Sequence, residues 1–284
     1  MSTVKKLVEV LELERLEKNL FRGESRDIGT PNVFGGQVLA QGLSAATKTV
    51  DSERLVHSLH AYFILPGDVK APIVYEVDPI RDGGSFTTRR VIAIQHGRPI
   101  FNMAASFHKA EDGVEHQAEM PKVKMPDEIP DLRELITEVP KGMPEVIRRY
   151  FTEEQPIEFR PVELENPFSP VKRSPINHIW FRTTQELPNI QSLHRTILAY
   201  VSDFNLLGTA MRPHAISSMK SGVRIASLDH ALWFHRDFKM DDWLLYALDS
   251  PSAGSSRGFS RGSVFTKEGI LVASVAQEGL MRIS

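Results

Sequence analysis

The chain of 284 residues contains no cysteine, and this absence excludes several kinds of chemistry at once. A chain without thiols has no disulfide, no thiolate metal site and no cysteine nucleophile. It also lacks an apolar run near the roughly 20 residues of a membrane-spanning helix. The chain also has no large excess of positive or negative charge, since it contains 34 Lys plus Arg and 36 Asp plus Glu. A balanced charge attracts neither nucleic acid nor an anionic membrane, so we expect no partner of either kind and a cytoplasmic location.

Familiar ligand motifs are also missing. The sequence has no G-x-G-x-x-G, no P-loop and no H-E-x-x-H, so we expect no nucleotide cofactor and no zinc site. His230 and His235 lie five residues apart, which on a strand puts them on opposite faces, one at the core edge and one at the surface. G-x-S-x-G occurs at 254–258 and 258–262, but a nucleophile elbow needs a strand before the serine and a helix after it. We expect these glycines to turn a hairpin instead.

Two segments of the chain repeat the same pattern. In the first, a helix at 38–50 precedes strands at 56–64, 72–77, 86–95 and 100–108. In the second, a helix at 197–207 precedes strands at 223–235, 243–248, 260–266 and 270–280. Tyr75 and Tyr246 lie 171 positions apart, and Gly97 and Gly269 lie 172 apart. An offset this constant across a whole sheet indicates two copies of one unit.

The segment between the two copies has a different composition. Ten of the 18 prolines lie at 121–175, with acidic residues between them, and this is typical of a linker. Short helices at 132–138 and 145–153 are possible within it. We therefore expect an N-terminal repeat at 1–120, a proline-rich linker at 121–175 and a C-terminal repeat at 176–284.

The first helix is apolar on most faces and rich in small residues, among them Gly42, Ser44, Ala45 and Ala46. An apolar helix is expected to be buried, and small side chains let a sheet close tightly around it. This combination predicts the α+β hot-dog fold, in which a curved antiparallel sheet wraps a long helix. Two copies in one chain make a double hot-dog.

Three polar residues occupy unusual positions in the second copy. Asp203 lies near the middle of an apolar predicted helix, and burying a carboxylate costs several kcal/mol unless it is hydrogen-bonded. Ser227 stands where a strand begins, and Gln277 closes the apolar strand at 270–276. Each also has a structural alternative: a cap or bridge within the fold for Asp203, a structural serine for Ser227 and a solvated strand end for Gln277.

Longer blocks of the sequence resemble the type II acyl-CoA thioesterases, the TesB family. The matching blocks are 32–41 (NVFGGQVLAQ), 60–63 (HAYF), 81–86 (RDGGSF) with Arg89 and Arg90, 101–107 (FNMAASF) and 227–235 (SLDHALWFH). The resemblance extends from about residue 16 to residue 280, in the family's order.

This resemblance implies a double hot-dog fold and the hydrolysis of acyl-CoA to fatty acid and CoA. It also implies an active site of Asp, Thr or Ser, and Gln, which together orient and activate a water. In this sequence these residues correspond to Asp203, Ser227 and Gln277. Ser227 stands where many relatives have Thr, which keeps the hydroxyl and loses the methyl that restricts its rotation.

The substrate and the assembly follow from the same interpretation. CoA is a polyanion that arginine side chains can bind, and the candidates are Arg81, Arg89, Arg90, Arg257 and Arg261. A solvated surface charge is the alternative for each of them. Exposed strand edges invite pairing, so we expect a homodimer or homotetramer. The alternative function is a non-catalytic acyl-CoA or acyl-carrier binding protein on the same fold, because fold does not fix function.

Overall fold

A computed structural model of the chain describes residues 3–131, 148–149, 153–166, 168–218 and 222–283. The helices are α1 (Thr3–Leu11), α2 (Gly35–Thr47), α3 (Gln191–Ser202) and α4 (Leu206–Met211). The strands are β1 (Glu14–Glu17), β2 (Leu20–Gly23), β3 (Arg54–Phe63), β4 (Ile73–Asp82), β5 (Phe86–Gln95), β6 (Arg98–Lys109), β7 (Ile157–Pro161), β8 (Ile176–Thr183), β9 (Val223–Ser227), β10 (Asp229–Phe234), β11 (Leu244–Gly254), β12 (Arg257–Thr266) and β13 (Leu271–Ile283). No helix within these ranges is long and apolar enough to cross a membrane.

The thirteen strands form one antiparallel sheet in the order β1-β2-β4-β5-β6-β3-β10-β13-β12-β11-β8-β7, and β9 pairs with β13. The first half of the sheet runs β2-β4-β5-β6-β3, and the second half runs β8-β11-β12-β13-β10 in the mirrored order. The halves join where β3 and β10 pair, with His230 opposite Ala61. The strand order of one half is thus repeated in the other, as the offset of 171 to 172 positions predicts.

The helices α2 and α3 lie together against one face of the sheet and share its main apolar core. Ten of the thirteen residues of α2 are buried, which agrees with a helix wrapped by a sheet. A β-carbon on Gly42 would lie 3.3 Å from the ring of Phe101 on β6. The small residue therefore lets the strand approach the helix closely.

Equivalent tyrosines attach the sheet to the helix in both halves. Tyr75 on β4 and Tyr246 on β11 are both fully buried. Tyr75 donates a hydrogen bond to Gln41 Oε1 of α2 (2.7 Å), and Tyr246 donates to the carbonyl oxygen of Ser202 at the end of α3 (2.8 Å). A buried tyrosine hydroxyl needs a partner, and in each copy the helix supplies it.

The proline-rich segment contains ordered structure as well as linker. Strand β7 adds to the edge of the sheet beside β8. Trp180 of β8 donates its indole N–H to the carbonyl of Lys124 (2.8 Å), and Ile129 packs against the same tryptophan. The short helices expected at 132–138 and 145–153 lie wholly or largely outside the described residues, and the repeat and linker boundaries stay predictions.

The hairpin between β11 and β12 differs from expectation in its turn residues. Ser255 and Ser256 form the turn, and both have positive φ angles (49° and 58°). The glycines expected to turn the chain lie on the strands. A β-carbon on Gly258 would lie 2.7 Å from that of Ala210, and one on Gly262 would collide with Tyr246. These glycines serve close packing, and no helix follows either serine as a nucleophile elbow requires.

Candidate active site

The sequence predicts that Asp203 lies near the middle of a helix, and this prediction is wrong. Asp203 is the residue that follows the last turn of the helix. Helix α3 stops at Ser202, and α4 begins only at Leu206. Asn205 between them has a φ of 69°, a left-handed conformation that asparagine tolerates better than most residues. The break frees Asp203 from the side of a helix and turns its carboxylate toward the sheet.

Ser227 and Gln277 meet at an irregularity in the sheet. The predicted strand 223–235 is two strands, which pair in succession with the same edge of β13. Ser227 lies opposite Gly279, whereas Ala231 lies opposite Ala276, so four steps along one strand match three along the other. This extra residue is a β-bulge, a feature that redirects side chains beside active sites.

The bulge brings Ser227 and His230 to the same face of the sheet. Residues three apart on a regular strand point to opposite faces. Ser227 shares a face with Gly279, and therefore with Gln277 two residues away on β13. His230 is in register with Gln277 by continuation of the β10–β13 pairing. The extra residue thus lets all three side chains face the helices.

The carboxylate of Asp203 is the centre of this group. Gln277 Nε2 donates to Asp203 Oδ1 at 2.5 Å, and Ser227 Oγ donates to the same oxygen at 3.2 Å. The side chain of Asp203 is only 4% exposed, and Gln277 is 1% exposed. The structure therefore brings together the three residues that the sequence marked as candidates.

The N-terminus of α2 completes the site from the first half of the chain. Helix α2 has no side-chain cap of its own, and the backbone N–H of Gly36 donates to the Asp203 carboxylate. A β-carbon on Gly35 would lie 2.7 Å from Asp203 Oδ2, and one on Gly36 would collide with the carbonyl of Tyr200. The paired glycines let the helix end approach the carboxylate, which its positive dipole stabilises.

Burial and hydrogen bonding act on the pKa of Asp203 in opposite directions. Burial disfavours the charged form and dominates, while donors from Gln277, Ser227 and Gly36 favour it. The result is a pKa of about 6, above the usual 3.8. The carboxylate is therefore ionised at neutral pH and has a pKa high enough to accept a proton.

His230 also belongs to this group, although the sequence indicated only a core-edge histidine. Its ring is fully buried, with Nδ1 at 3.1 Å from Gln277 Nε2 and at 4.0 Å from Asp203 Oδ1. Burial lowers its pKa to about 3, so the ring is neutral and makes no ion pair with Asp203. Two features of the sequence point to this residue: it lies in the block 227–235 that resembles the family, and it alternates with the apolar Leu232 and Phe234 on one face of the strand. His235, by contrast, is exposed at the surface.

A cleft of about 170 Å³ opens beside the site. One wall is aromatic, with Phe159, Tyr200 and Phe204, and the rest of the lining is largely charged and polar, including Arg26, Asp27, Arg149, Glu153 and Glu154. Phe34 packs against two of these rings, with centroids 4.4 Å from Phe204 and 5.2 Å from Tyr200. Phe204 follows Asp203 and Phe34 precedes Gly35, so the backbone that carries this aromatic group also carries two residues of the site.

The equivalent place in the first half lacks these polar groups. At the repeat offset of 171 to 172 positions, Leu59 corresponds to His230 and Ala105 corresponds to Gln277. Both are buried in the apolar core. Only one of the two copies therefore carries the polar group.

The five arginines do not converge on this site. Arg89 is 4% exposed and donates to Thr49, Asp82 and nearby carbonyls, so its guanidinium is held within the fold. Arg90, Arg257 and Arg261 are exposed and pair with Asp78, Glu278 and Asp249 at 2.7, 2.9 and 2.6 Å.

The register of the strands places Arg257 and Arg261 relative to the site. They lie opposite Leu280 and Ala276, which point away from the face that bears Gln277. Arg81 is exposed at the end of β4. Their role in binding CoA stays a prediction.

The chemistry available here is that of a buried base with three hydrogen-bond donors, from the side chains of Gln277 and Ser227 and the backbone of Gly36. Within the described ranges, no three His, Asp or Glu side chains lie close enough together to hold a metal ion. A helix wrapped by antiparallel sheet, present twice and with one polar site between the copies, defines a double hot-dog protein.

Comparison with known proteins identifies the family. The family model for the acyl-CoA thioesterase N-terminal domain matches residues 22–108, and the acyl-CoA thioesterase model matches residues 146–280. Acyl-CoA thioesterase 2 of Haemophilus influenzae is 41% identical over 98% of this chain and 97% of its own length. The chain belongs to the acyl-CoA thioesterase family, as the sequence blocks indicate.

Solved structures agree with this assignment. The acyl-CoA thioesterase II TesB2 of Mycobacterium marinum is 42% identical, and the match covers 98% of each chain with a TM-score of 0.81. A protein with a hot-dog fold from Alicyclobacillus acidocaldarius is 19% identical over 98% of each chain, with a TM-score of 0.79. The second match shows the fold alone, and together they confirm the predicted double hot-dog.

Proposed function

We propose that this protein hydrolyses acyl-CoA thioesters to a fatty acid and CoA, using a water that Asp203, Ser227 and Gln277 hold. The observation that carries the proposal is the convergence of these three side chains around one buried carboxylate, with distances of 2.5 and 3.2 Å to Asp203 Oδ1. A non-catalytic binding protein would have no need of a buried carboxylate with a raised pKa, because such a group costs stability.

The proposed reaction begins with Asp203 as general base. The water attacks the thioester carbonyl carbon while one of its protons passes to the carboxylate. The tetrahedral intermediate then collapses, the carbon–sulfur bond breaks, and the CoA thiolate takes the proton from Asp203. Negative charge on the intermediate develops near the N-terminus of α2, where the helix dipole and backbone N–H groups favour an anion.

The acyl chain has a matching place beside the carboxylate. We propose that it enters the cleft along the wall formed by Phe159, Tyr200 and Phe204, the last of which follows Asp203 in the chain. For the phosphates of CoA the exposed arginines remain candidates, and all but Arg81 would have to leave an ion pair. A role in phosphate binding predicts a raised KM with unchanged kcat when such an arginine is replaced by alanine.

The test of the function is CoA release from acyl-CoAs of different chain length, detected with a thiol reagent. We expect turnover without added metal, and a fall of about 10²-fold or more in kcat for Asp203→Asn, which keeps the shape and removes the proton acceptor. Asp51→Asn, at an exposed aspartate, is the matched control. Saturable binding of acyl-CoA with no release of CoA by the wild type would instead favour the binding protein.

A covalent route through Ser227 is the competing mechanism. Its hydroxyl donates to Asp203 Oδ1, so the same carboxylate could in principle accept its proton. That route requires an acyl-serine intermediate. Mass spectrometry of enzyme quenched during turnover separates the two mechanisms, because an acyl adduct on Ser227 contradicts direct attack by water.

We also propose that the chain assembles into a homodimer or homotetramer. The strands β1 and β7 end the sheet, and unpaired strand edges invite pairing with another chain. Light scattering at micromolar concentration tests the assembly, and a monomer would reject it.

A further inference from the structure

His230 makes two hydrogen bonds that connect the end of α3 with the proposed site. Its Nε2 lies 2.9 Å from Ser202 Oγ, and its Nδ1 lies 3.1 Å from Gln277 Nε2. Both ring nitrogens are buried. A neutral imidazole has one N–H donor and one bare acceptor, so each neighbour must match the nitrogen that it faces.

The hydroxyl of Ser202 determines which nitrogen carries the proton. Asp203 donates its backbone N–H to the carbonyl of Val201, so the carbonyl of Ala199 receives the Ser202 hydroxyl instead, at 3.0 Å. A hydroxyl has one proton, and this bond uses it. Ser202 Oγ can therefore only accept from His230, which places the imidazole proton on Nε2 and leaves Nδ1 as an acceptor.

The tautomer of His230 in turn determines the orientation of the Gln277 amide. A bare Nδ1 requires a donor, so the NH₂ group of Gln277 faces His230 and Asp203, and donates one N–H to each. If the amide were reversed, its carbonyl oxygen would face the ionised carboxylate of Asp203 and the lone pair of His230 Nδ1, and both contacts would be repulsive. Gln277 Oε1 takes part in neither bond, and it is a buried oxygen with no hydrogen-bond partner among the described residues.

We propose that His230 is a positioning residue that presents the carbonyl oxygen of Gln277 to the hydrolytic water as an acceptor. The inference rests on the proposed function. A water that donates one hydrogen to Gln277 Oε1 and the other to Asp203 keeps a lone pair directed at the thioester carbon. Gln277 therefore orients the water as an acceptor and stabilises Asp203 as a donor, and His230 enforces both roles.

Two substitutions of His230 separate its bonds. The oxygen of an asparagine side chain lies where Nδ1 does, so His230→Asn keeps the acceptor for Gln277. The amide nitrogen of glutamine reaches the position of Nε2, so His230→Gln keeps the donor for Ser202. We expect the kcat of His230→Asn to stay within about threefold of wild type. The kcat of His230→Gln and of His230→Leu should fall about tenfold, because each loses the buried hydrogen bond to Gln277. KM should be unchanged in all three variants.

A double-mutant cycle tests whether His230 acts through Gln277. In a Gln277→Ala background, His230→Leu should lower kcat no further, because the amide that it positions is gone. His194 is the matched control, since it is a buried histidine whose Nδ1 accepts from the backbone N–H of Met240 away from the site. His194→Leu should lower thermal stability and leave kcat unchanged. Equal losses for all His230 variants, or full additivity with Gln277→Ala, would overturn the proposal.

The pH profile is a second readout. Gln277 lowers the pKa of Asp203 by donating a hydrogen bond to it. In His230→Leu the Gln277 amide is free to turn away, so the acid limb of kcat should move to higher pH. In His230→Asn the amide stays in place, so the acid limb should not move. Among the described residues, Tyr246 is a further titratable group that faces Asp203, and burial raises its pKa well above the working range. An unshifted limb in His230→Leu would count against the proposal.

Nitrogen-15 NMR of histidine-labelled protein tests the tautomer without reference to activity. We expect the His230 signals, identified by their loss in His230→Asn, to show a protonated Nε2 and a bare Nδ1 from pH 6 to pH 8. A protonated Nδ1 would reverse the Gln277 amide and refute the inference. Wild-type protein with this tautomer but no CoA release would instead contradict the proposed function alone.

Discussion

The carboxylate of Asp203 should make the protein less stable at the pH where it is active. Its pKa is about 6 in the folded protein, against the usual 3.8 that applies when the chain is unfolded. The folded state therefore binds the proton more tightly than the unfolded state. The stabilisation from this group is fully present below pH 3.8 and is lost as the pH rises through 6.

The size of this effect follows from the difference between the two pKa values. A difference of 6 minus 3.8 corresponds to about 3 kcal/mol, at about 1.4 kcal/mol for each pKa unit. No reduction for solvent screening applies, because the side chain is 4% exposed. Asparagine does not titrate. As the pH rises from the acid end of the range to pH 8, the free energy of unfolding of Asp203→Asn should therefore increase relative to that of wild type by about this amount. The same variant should lose turnover.

Urea unfolding at several pH values between 4 and 8 measures this difference. The free energy of unfolding of wild type should fall relative to that of Asp203→Asn as the pH rises, mostly between pH 4 and pH 6. Asp51→Asn removes an exposed carboxylate and should run parallel to wild type. If Asp203→Asn also runs parallel, Asp203 does not have a raised pKa, and the argument that it is a base near neutral pH fails.

Further predictions concern the remaining parts of the site. The acid limb of kcat should have its midpoint near pH 6, since Asp203 must be ionised to accept a proton; activity that persists undiminished at pH 4.5 would contradict this. Ser227→Thr should retain most of the turnover, whereas Ser227→Ala should lower kcat with acyl-CoA binding largely intact, as a comparison of kcat and KM will show. Gly36→Ala should cost about 1–3 kcal/mol in urea unfolding and most of the activity, because its methyl group would meet the backbone of Tyr200. Calorimetric titration with a non-hydrolysable acyl-CoA analogue should saturate at one per chain, and two equivalent sites would contradict the difference between the copies.

The sequence by itself determined the repeated architecture of this protein. Alternation of apolar residues and the His96-Gly97 turn predict the strands of the first copy, and β5 begins and ends where the pattern places it. The offset between Tyr75 and Tyr246 identifies equivalent strands, because a buried hydroxyl that must reach a helix recurs at the same place in each copy. These features depend on local periodicity and turn chemistry, which one chain carries in full.

The tertiary structure alone decided how the site is assembled. The left-handed Asn205 ends α3 before Asp203, and the bulge between Ser227 and Ala231 arises only when both strands pair with β13. Strand periodicity puts Ser227 and His230 on opposite faces, so the sequence pattern could not bring His230 into the site.

For the arginines the structure separates residues that the sequence places together as candidates for binding CoA. Arg89 and Arg90 are adjacent in the chain, yet one is buried in a hydrogen-bonded position and the other is exposed in an ion pair. Adjacent strand residues point to opposite faces, and only the packed sheet decides which face is covered by helices. Side-chain direction at irregular positions depends on partners distant in the chain, and for that reason the geometry of this site belongs to the folded structure.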